Sequence, residues 1–263
     1  MTSNRPRPAS PQAVRATDPP LLRLLLGLHA VPNPRILDAS YGRGVMWRRL
    51  PYRPVRLDVR AELDVDLVGS WCDLARLFPP ASFDVVVWDP PHLTDAGQGI
   101  AGAAEWADRY GTHTAGLRGA SIAPLFGPFL RAARAVLEPA HGIVLVKVAD
   151  QVHDGAQQWQ HVELIVAARA LGWTACDYAI KTRAGALDDP KWRHRRHVRK
   201  PWSFWIVLRP GSACSGPGEA LVRVCQSCGQ AFRARRADAQ TCGARCRQRR
   251  RRARRSSSSP RRG

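Results

Sequence analysis

The sequence lacks a long apolar run. The best stretch, Leu21 to Val31, is broken by Arg23 and His29 and is too short to cross a bilayer. The opening residues, MTSNRPRPASPQ, hold no apolar segment of the kind a secretion signal needs, so a soluble, cytoplasmic chain without a membrane partner is expected. Neither G-x-G-x-x-G nor G-x-x-x-x-G-K-S/T occurs, which leaves a pyrophosphate or triphosphate cradle without support. Acids are scarce: 21 Asp plus Glu stand against 41 Lys plus Arg in 263 residues, a formal net charge of +20. The cysteines do not pair evenly either, since there are seven and four of them crowd near the end of the chain. That argues against a secreted disulfide framework and for thiolate metal ligation in a reducing compartment. No internal repeat is present.

What is there points to one α/β domain with an appendage. Hydrophobic residues make up 44% of the chain and nine are Trp, enough for a sizeable core. Residues 221–263 hold 14 of the basic residues, all Arg, against the single acid Asp238. A mildly basic body therefore carries a strongly basic tail. Residues 1–17, rich in Pro, Ser, Arg and Ala, read as a disordered arm. Asp18-Pro-Pro before Leu21, Leu22, Leu24, Leu25 and Leu28 predicts a helix with Asp18 as N-cap. Strands are predicted at Arg35–Asp38, Val55–Asp58, Phe83–Trp88, Gly142–Val148, Thr174–Lys181 and Trp202–Leu208, and helices at Ser121–Leu137 and Gln158–Leu171. This alternation is the pattern of a doubly wound α/β sheet over residues 18–209. The segment 182–201 is too short for a packed crossover, so the last two strands are expected to be antiparallel. Residues 210–221 have linker composition, 222–250 form a cysteine-rich module, and 251–263 read as a disordered Arg/Ser tail.

Two constellations carry chemistry. The first is Ile36-Leu-Asp38-Ala-Ser40-Tyr-Gly42-Arg-Gly44, an acid and a Gly-x-Gly turn at the carboxyl end of the first long strand. Ligands bind at that edge of an open α/β sheet, and glycine lets the backbone come close to them. Asp58 ends the next strand and can accept from both ribose hydroxyls. Asp73, where a third strand would end, can accept from an adenine amino group. Three acids without a phosphate partner suit S-adenosylmethionine better than NAD. For any one element taken alone, a plain turn at Gly42 and Gly44, or helix caps at Asp58 and Asp73, remains the alternative.

The second constellation is Asp89-Pro90-Pro91-His92, which closes the apolar strand Phe83–Trp88. The prolines cannot donate hydrogen bonds and fix an extended turn, so Asp89 and the Pro90 carbonyl converge as two acceptors beside the His92 ring. Two acceptors hold the N–H groups of an aromatic amine and draw lone-pair density onto its nitrogen. A strand-ending turn with a solvent-facing His is the alternative.

Taken together, Ile36–Gly44, Asp58, Asp73 and Phe83–His92 resemble the motifs of class I S-adenosylmethionine-dependent methyltransferases, in particular the amino-group DNA methylases with an Asp-Pro-Pro-aromatic motif. The resemblance covers roughly residues 18–209 and implies a Rossmann-like methyltransferase sheet of seven strands, the last two a terminal antiparallel hairpin. It also implies that Asp38, Ser40, Gly42, Gly44, Asp58 and Asp73 hold S-adenosylmethionine. Asp89, Pro90, Pro91 and His92 would act on adenine N6 or cytosine N4 of DNA. Two positions depart from the family: Ala39-Ser40 stands where an aromatic is usual, and His92 where Tyr, Phe or Trp is. Similar motifs occur in methylases of RNA bases and of protein glutamine.

The basic segments fit a nucleic-acid partner. Lys191, Trp192, Arg193, Arg195, Arg196, Arg199 and Lys200 lie within ten residues that contain no acid. Such a loop can neutralise phosphates while Trp192 stacks on a base, though a charge run is as often plain solvated surface. The glycine-rich segment Leu93–Gly119 is either a lid or an insertion. Lys147 is an unusual charge in a buried strand; it either pairs with Asp150 or sits at the strand end. Cys225-x-x-Cys228 and Cys242-x-x-x-Cys246 are two thiolate pairs at chelating spacing, which predicts a small C-terminal zinc module binding Zn²⁺ tetrahedrally. The Arg-rich run after it would bind phosphate backbones without reading bases, of DNA or equally of RNA. A silent nucleic-acid binder on a methyltransferase scaffold is the remaining alternative.

Overall fold

Short apolar runs supply the strands, and the acids and glycines that follow them supply the turns at one edge of the sheet. In chain order the strands of the computed structural model are β1 (Val14–Arg15), β2 (Ile36–Asp38), β3 (Val55–Asp58), β4 (Leu67–Val68), β5 (Val85–Trp88), β6 (Ile143–Val148), β7 (Gln151–His153), β8 (Ala156–Gln158), β9 (Trp173–Thr182), β10 (Trp202–Pro210), β11 (Leu221–Val224) and β12 (Ala231–Ala234). The structure describes residues 13–90, 122–153, 156–182, 200–211, 221–228, 231–234, 240–241 and 243–249.

One eight-stranded sheet has the order β1-β9-β10-β6-β5-β2-β3-β4. Strands β2 to β6 are mutually parallel, whereas β10 runs antiparallel between β6 and β9. The doubly wound α/β sheet with its antiparallel terminal pair is thus as expected, and each of the six predicted strands lies within two residues of its predicted bounds. From β2 the chain winds outward through β3 to the edge strand β4, then returns to β5 on the other side of β2. This reversal puts the topological switch point between β2 and β5, where such sheets bind ligands.

The core explains why β5 is apolar throughout. Val85 and Val87 point into a layer with Leu21, Leu22, Leu25 and Trp205, while Val86 and Trp88 point into a layer with Phe126, Phe129 and Leu164. Both faces are covered, so all four residues are buried. The helix Ala123–Val136 turns Phe126, Phe129, Leu130 and Ala133 inward at three- and four-residue spacing. Ring stacking of Trp88 on Phe129, with centroids 4.2 Å apart, fixes this helix under the end of β5. At the opposite end of β5, Arg35 and His141 converge on Asp84. The Arg35 guanidinium holds that carboxyl well below the usual range.

Two details near the N-terminus depart from the sequence reading. Residues 1–17 do not read as an arm to their end, because Val14 and Arg15 pair with Ile180 and Lys181 of β9 as a parallel edge strand. Asp18 is not the N-cap of its helix: Thr17 holds that position, and Asp18 is the first residue of the helix Asp18–His29, followed by Pro19 and Pro20. Its carboxylate is turned inward and buried.

The chain divides into two compact units, Met1–Gly216 and Pro217–Gly263, the division falling within the stretch of linker composition. Considered by itself, the second unit pairs β11 with β12 as an antiparallel hairpin. No helix among the described residues is long and apolar enough to cross a membrane.

Candidate active site

The turn after β2 is stitched to the strands on either side, since Ala39 N–H donates to the Val87 carbonyl and Tyr41 N–H to that of Leu57. Within it, Asp38 is fully enclosed. One of its oxygens accepts from Ser40 N–H at 3.0 Å and the other from the Trp47 indole at 2.6 Å. Asp38 therefore holds the turn closed. Burial pushes its carboxyl up to about 7, the bonds from Trp47 and Ser40 pull it back, and the charges of Asp89 and Asp58 add to the rise.

A carboxyl raised in this way favours folding most when both states are protonated. Its contribution is intact below about pH 4 and is lost as pH rises through about 7. Asp38→Asn has no such titration. The stability of the wild type minus that of the variant is expected to fall by roughly 4 kcal/mol from pH 4 to pH 7 and then level off. Denaturant unfolding across that range checks it, and a difference that grows with pH contradicts the assignment.

Gly42 and Gly44 both adopt left-handed backbone, at φ of 58° and 63°. A Cβ on Gly44 would also press on the Tyr41 ring, which would have to move, so a side chain there is disfavoured twice over. Gly42 N–H donates to Asp58 at 2.8 Å, which ties the turn to the end of β3. The other Asp58 oxygen accepts from the backbone N–H and the guanidinium of Arg60. Gly69 N–H in turn donates to the Asp58 carbonyl. Asp73 closes a short 3-10 turn beyond β4, and its half-exposed carboxylate lies 3.8 Å from the Arg76 guanidinium. Asp58 ends β3, whereas Asp73 lies past the end of β4 in the 3-10 turn Trp71–Asp73 and is the more accessible of the two.

Asp89 follows β5 directly, one strand over. Its backbone N–H donates to the Ser40 hydroxyl at 2.7 Å, so the glycine turn and the Asp-Pro-Pro turn are joined at the switch point. Pro90 is buried beside it. Pro91 and His92 lie outside the described residues, as does the segment Leu93–Gly119. Lys147 departs from the sequence reading. It does not pair with Asp150: its ammonium lies 2.9 Å from Asp89 and 3.3 Å from Asp18. Asp150 instead receives both the backbone N–H and a ring nitrogen of His161.

Of the basic loop, Lys191, Trp192, Arg193, Arg195, Arg196 and Arg199 lie outside the described residues. Lys200, at its end, sits 5.7 Å over the ring of Trp159 and donates to Gln157. Trp159 is 52% exposed, unusual for so large an apolar ring. Beside it, His161 stacks on Phe204 with centroids 4.3 Å apart. Neither Trp159 nor His161 carries a sequence signal of its own, and their partners Lys200 and Asp150 come from other segments.

In the second unit, the sulfur atoms of Cys225, Cys228 and Cys246 all lie within 4.8 Å of one another, close enough to share one ion. Gln226 N–H donates to the Gln240 carbonyl, which draws the two cysteine-bearing segments together. Cys246 stands in the helical residues 244–249, opened by a bond from Arg247 N–H to the Gly243 carbonyl. Cys242 lies outside the described residues. Three converging thiols, one of them buried, are a donor set that one metal ion could share.

No family model and no curated protein matches the chain. Several similar solved structures are named methyltransferases or methylases. TrmN from Thermus thermophilus superposes with a TM-score of 0.44 at 19% identity, covering 73% of this chain and 48% of that one. An S-adenosylmethionine-dependent methyltransferase from Archaeoglobus fulgidus gives 0.40 at 12% identity, covering 71% and 90%. The cytosine-N4-specific PvuII DNA methyltransferase gives 0.37 at 15% identity, covering 54% and 47%. The chain thus spans about half the length of TrmN and of the PvuII enzyme.

Proposed function

We propose that the chain is an S-adenosylmethionine-dependent methyltransferase acting on an exocyclic amine of a nucleic-acid base, adenine N6 or cytosine N4 of DNA in the first place. The observation that carries this reading is the bond between Asp89 N–H and Ser40. It couples the acid suited to hold an amine to the turn suited to hold a methyl donor, at the switch point of the sheet.

The donor set fits S-adenosylmethionine. Asp58 and Asp73 are acceptors for ribose hydroxyls and an adenine amino group, and Asp38, Ser40, Gly42 and Gly44 shape the turn against which the cofactor would lie. When bound, the cofactor supplies a methyl group on a sulfonium. Asp89 and the Pro90 carbonyl accept from the two N–H groups of the amine, which raises lone-pair density on its nitrogen and orients it. His92 covers a face of the base. The proton the nitrogen loses on methylation passes to the Asp89 carboxylate and from there to solvent. A base in a duplex must leave the stack to reach this edge. Trp159 with Lys200 over its ring offers a stacking surface and a phosphate partner close to it. The basic run from Lys191 to Arg199 would supply further phosphate contacts.

Cys225, Cys228, Cys242 and Cys246 would hold Zn²⁺, and the Arg-rich run after them would supply salt-sensitive affinity for any polyanion. That affinity serves RNA equally well, which makes a structured RNA the second acceptor to test. Purified protein with radiolabelled S-adenosylmethionine and separated DNA, RNA and protein acceptors decides among them. Label in DNA supports the first choice and label in RNA the second, while label in protein alone overturns a nucleic-acid substrate.

A further inference from the structure

We infer that Lys147 is a positioning residue for amine methylation, anchoring the Asp89 carboxylate from behind through a chain of ion pairs that Asp18 closes. The inference rests on the methyltransferase reading and adds to it a residue outside the two motifs. Lys147 lies in β6, where all six residues are buried, a costly place for an ammonium unless charges surround it. Those charges come from separate elements. Asp89 after β5 lies at 2.9 Å and Asp18 at the start of the Asp18–His29 helix at 3.3 Å. Asp18 is held in turn by Lys181 of β9 at 2.9 Å and by the Trp205 indole of β10 at 2.9 Å. The Trp205 ring also lies under the Lys147 ammonium at 5.5 Å. Lys181, Asp18, Lys147 and Asp89 form a neutral row of alternating charge that runs to the candidate site.

A lysine needing only a structural partner would be satisfied by Asp18. The contact with Asp89 does something more, because Asp38 at the end of the adjacent strand β2 repels Asp89 when both are ionised, and Lys147 offsets that repulsion. Burial pulls the Lys147 ammonium down, but Asp89 and Asp18 outweigh burial and hold it above the ordinary lysine range. Lys147 therefore stays charged wherever the enzyme works. With Ser40 fixing the Asp89 main chain and Lys147 fixing one carboxylate oxygen, the side chain is set as an ionised acceptor. A protonated Asp89 would offer its own O–H and lose its grip on the amine.

The test compares wild type with Lys147→Met, Lys147→Arg and the charge-balanced double variant Asp18→Asn/Lys147→Met. Readouts are the pH profile of kcat for methyl transfer, the Kd for S-adenosylmethionine and the ¹³C titration of the Asp89 carboxyl. In Lys147→Met the acid limb of the profile and the Asp89 titration are expected to move up by about one to three pH units. At pH 7 kcat falls by roughly 10- to 100-fold, with Kd within about twofold. Lys147→Arg keeps the acid limb near that of wild type. Should Lys147→Met fail to fold, the double variant, which keeps the row's net charge at zero, carries the same comparison. An unmoved acid limb and an unmoved Asp89 titration in a folded variant overturn the inference while wild-type activity upholds the methyltransferase reading. A wild type that methylates nothing overturns both.

Discussion

Asp89→Ala is expected to lower methyl transfer to the nucleic-acid substrate by about a thousandfold or more, since both the orientation of the amine and its charge redistribution depend on that carboxylate. The fold survives, because the Asp89 backbone N–H still donates to Ser40 and β5 keeps its register with β2 and β6. Cofactor affinity changes little, as Asp58, Asp73 and the glycine turn are untouched. Asp89→Asn retains one acceptor oxygen and falls between the two, with activity well above that of Asp89→Ala. Single-turnover transfer of labelled methyl, with cofactor binding measured alongside, separates these cases. Activity of Asp89→Ala within tenfold of wild type would place the amine elsewhere.

Removing the proposed zinc ion is expected to have the second large effect. The described residues of the unit Pro217–Gly263 form one short hairpin and a brief helix, and its sequence offers little apolar material for a core. Structural zinc contributes about 10–16 kcal/mol in modules of this size, far more than so small a core could supply. Purified protein should contain one zinc per chain. Cys225→Ser, or a strong chelator, should release it and expose residues 217–263 to proteolysis while the sheet of the first unit stays resistant. Cys225 is the choice because it is the buried member of the three converging thiols. Protein free of zinc and indifferent to chelator contradicts the assignment, and a disulfide between these cysteines would replace it.

Much of the first unit was legible because its signals are local. The run Val85 to Trp88 is buried on both sides and reads as an inner strand, and the short span between β9 and β10 left room only for an antiparallel return. The glycine turn and the Asp-Pro-Pro turn could be placed at the carboxyl edge for the same reason. Where reading along the chain failed, the cause is distance or brevity. β1 has two residues, too few to show a period, and exists by pairing with β9. Lys147 stood out as a buried charge, yet its partners lie 58 and 129 residues away, and the nearby Asp150 was the wrong candidate. Asp18 is polar before a helix and looked like a cap; Thr17 took that position, and the acid was drawn to Lys147, Lys181 and Trp205. Arg60 could have been suspected two residues after Asp58, where a guanidinium can fold back on a strand-end acid. Trp47, nine residues beyond Asp38, carries no comparable signal.

Incubation with trideuteromethyl-labelled S-adenosylmethionine and unmethylated DNA and RNA, followed by digestion to nucleosides and mass spectrometry, tests the amine-methylation chemistry most directly. The expected product is N6-methyladenine or N4-methylcytosine bearing the deuterated methyl, lost in Asp89→Ala. Label on a ring carbon or ring nitrogen, or no labelled nucleoside although the cofactor binds, would contradict it.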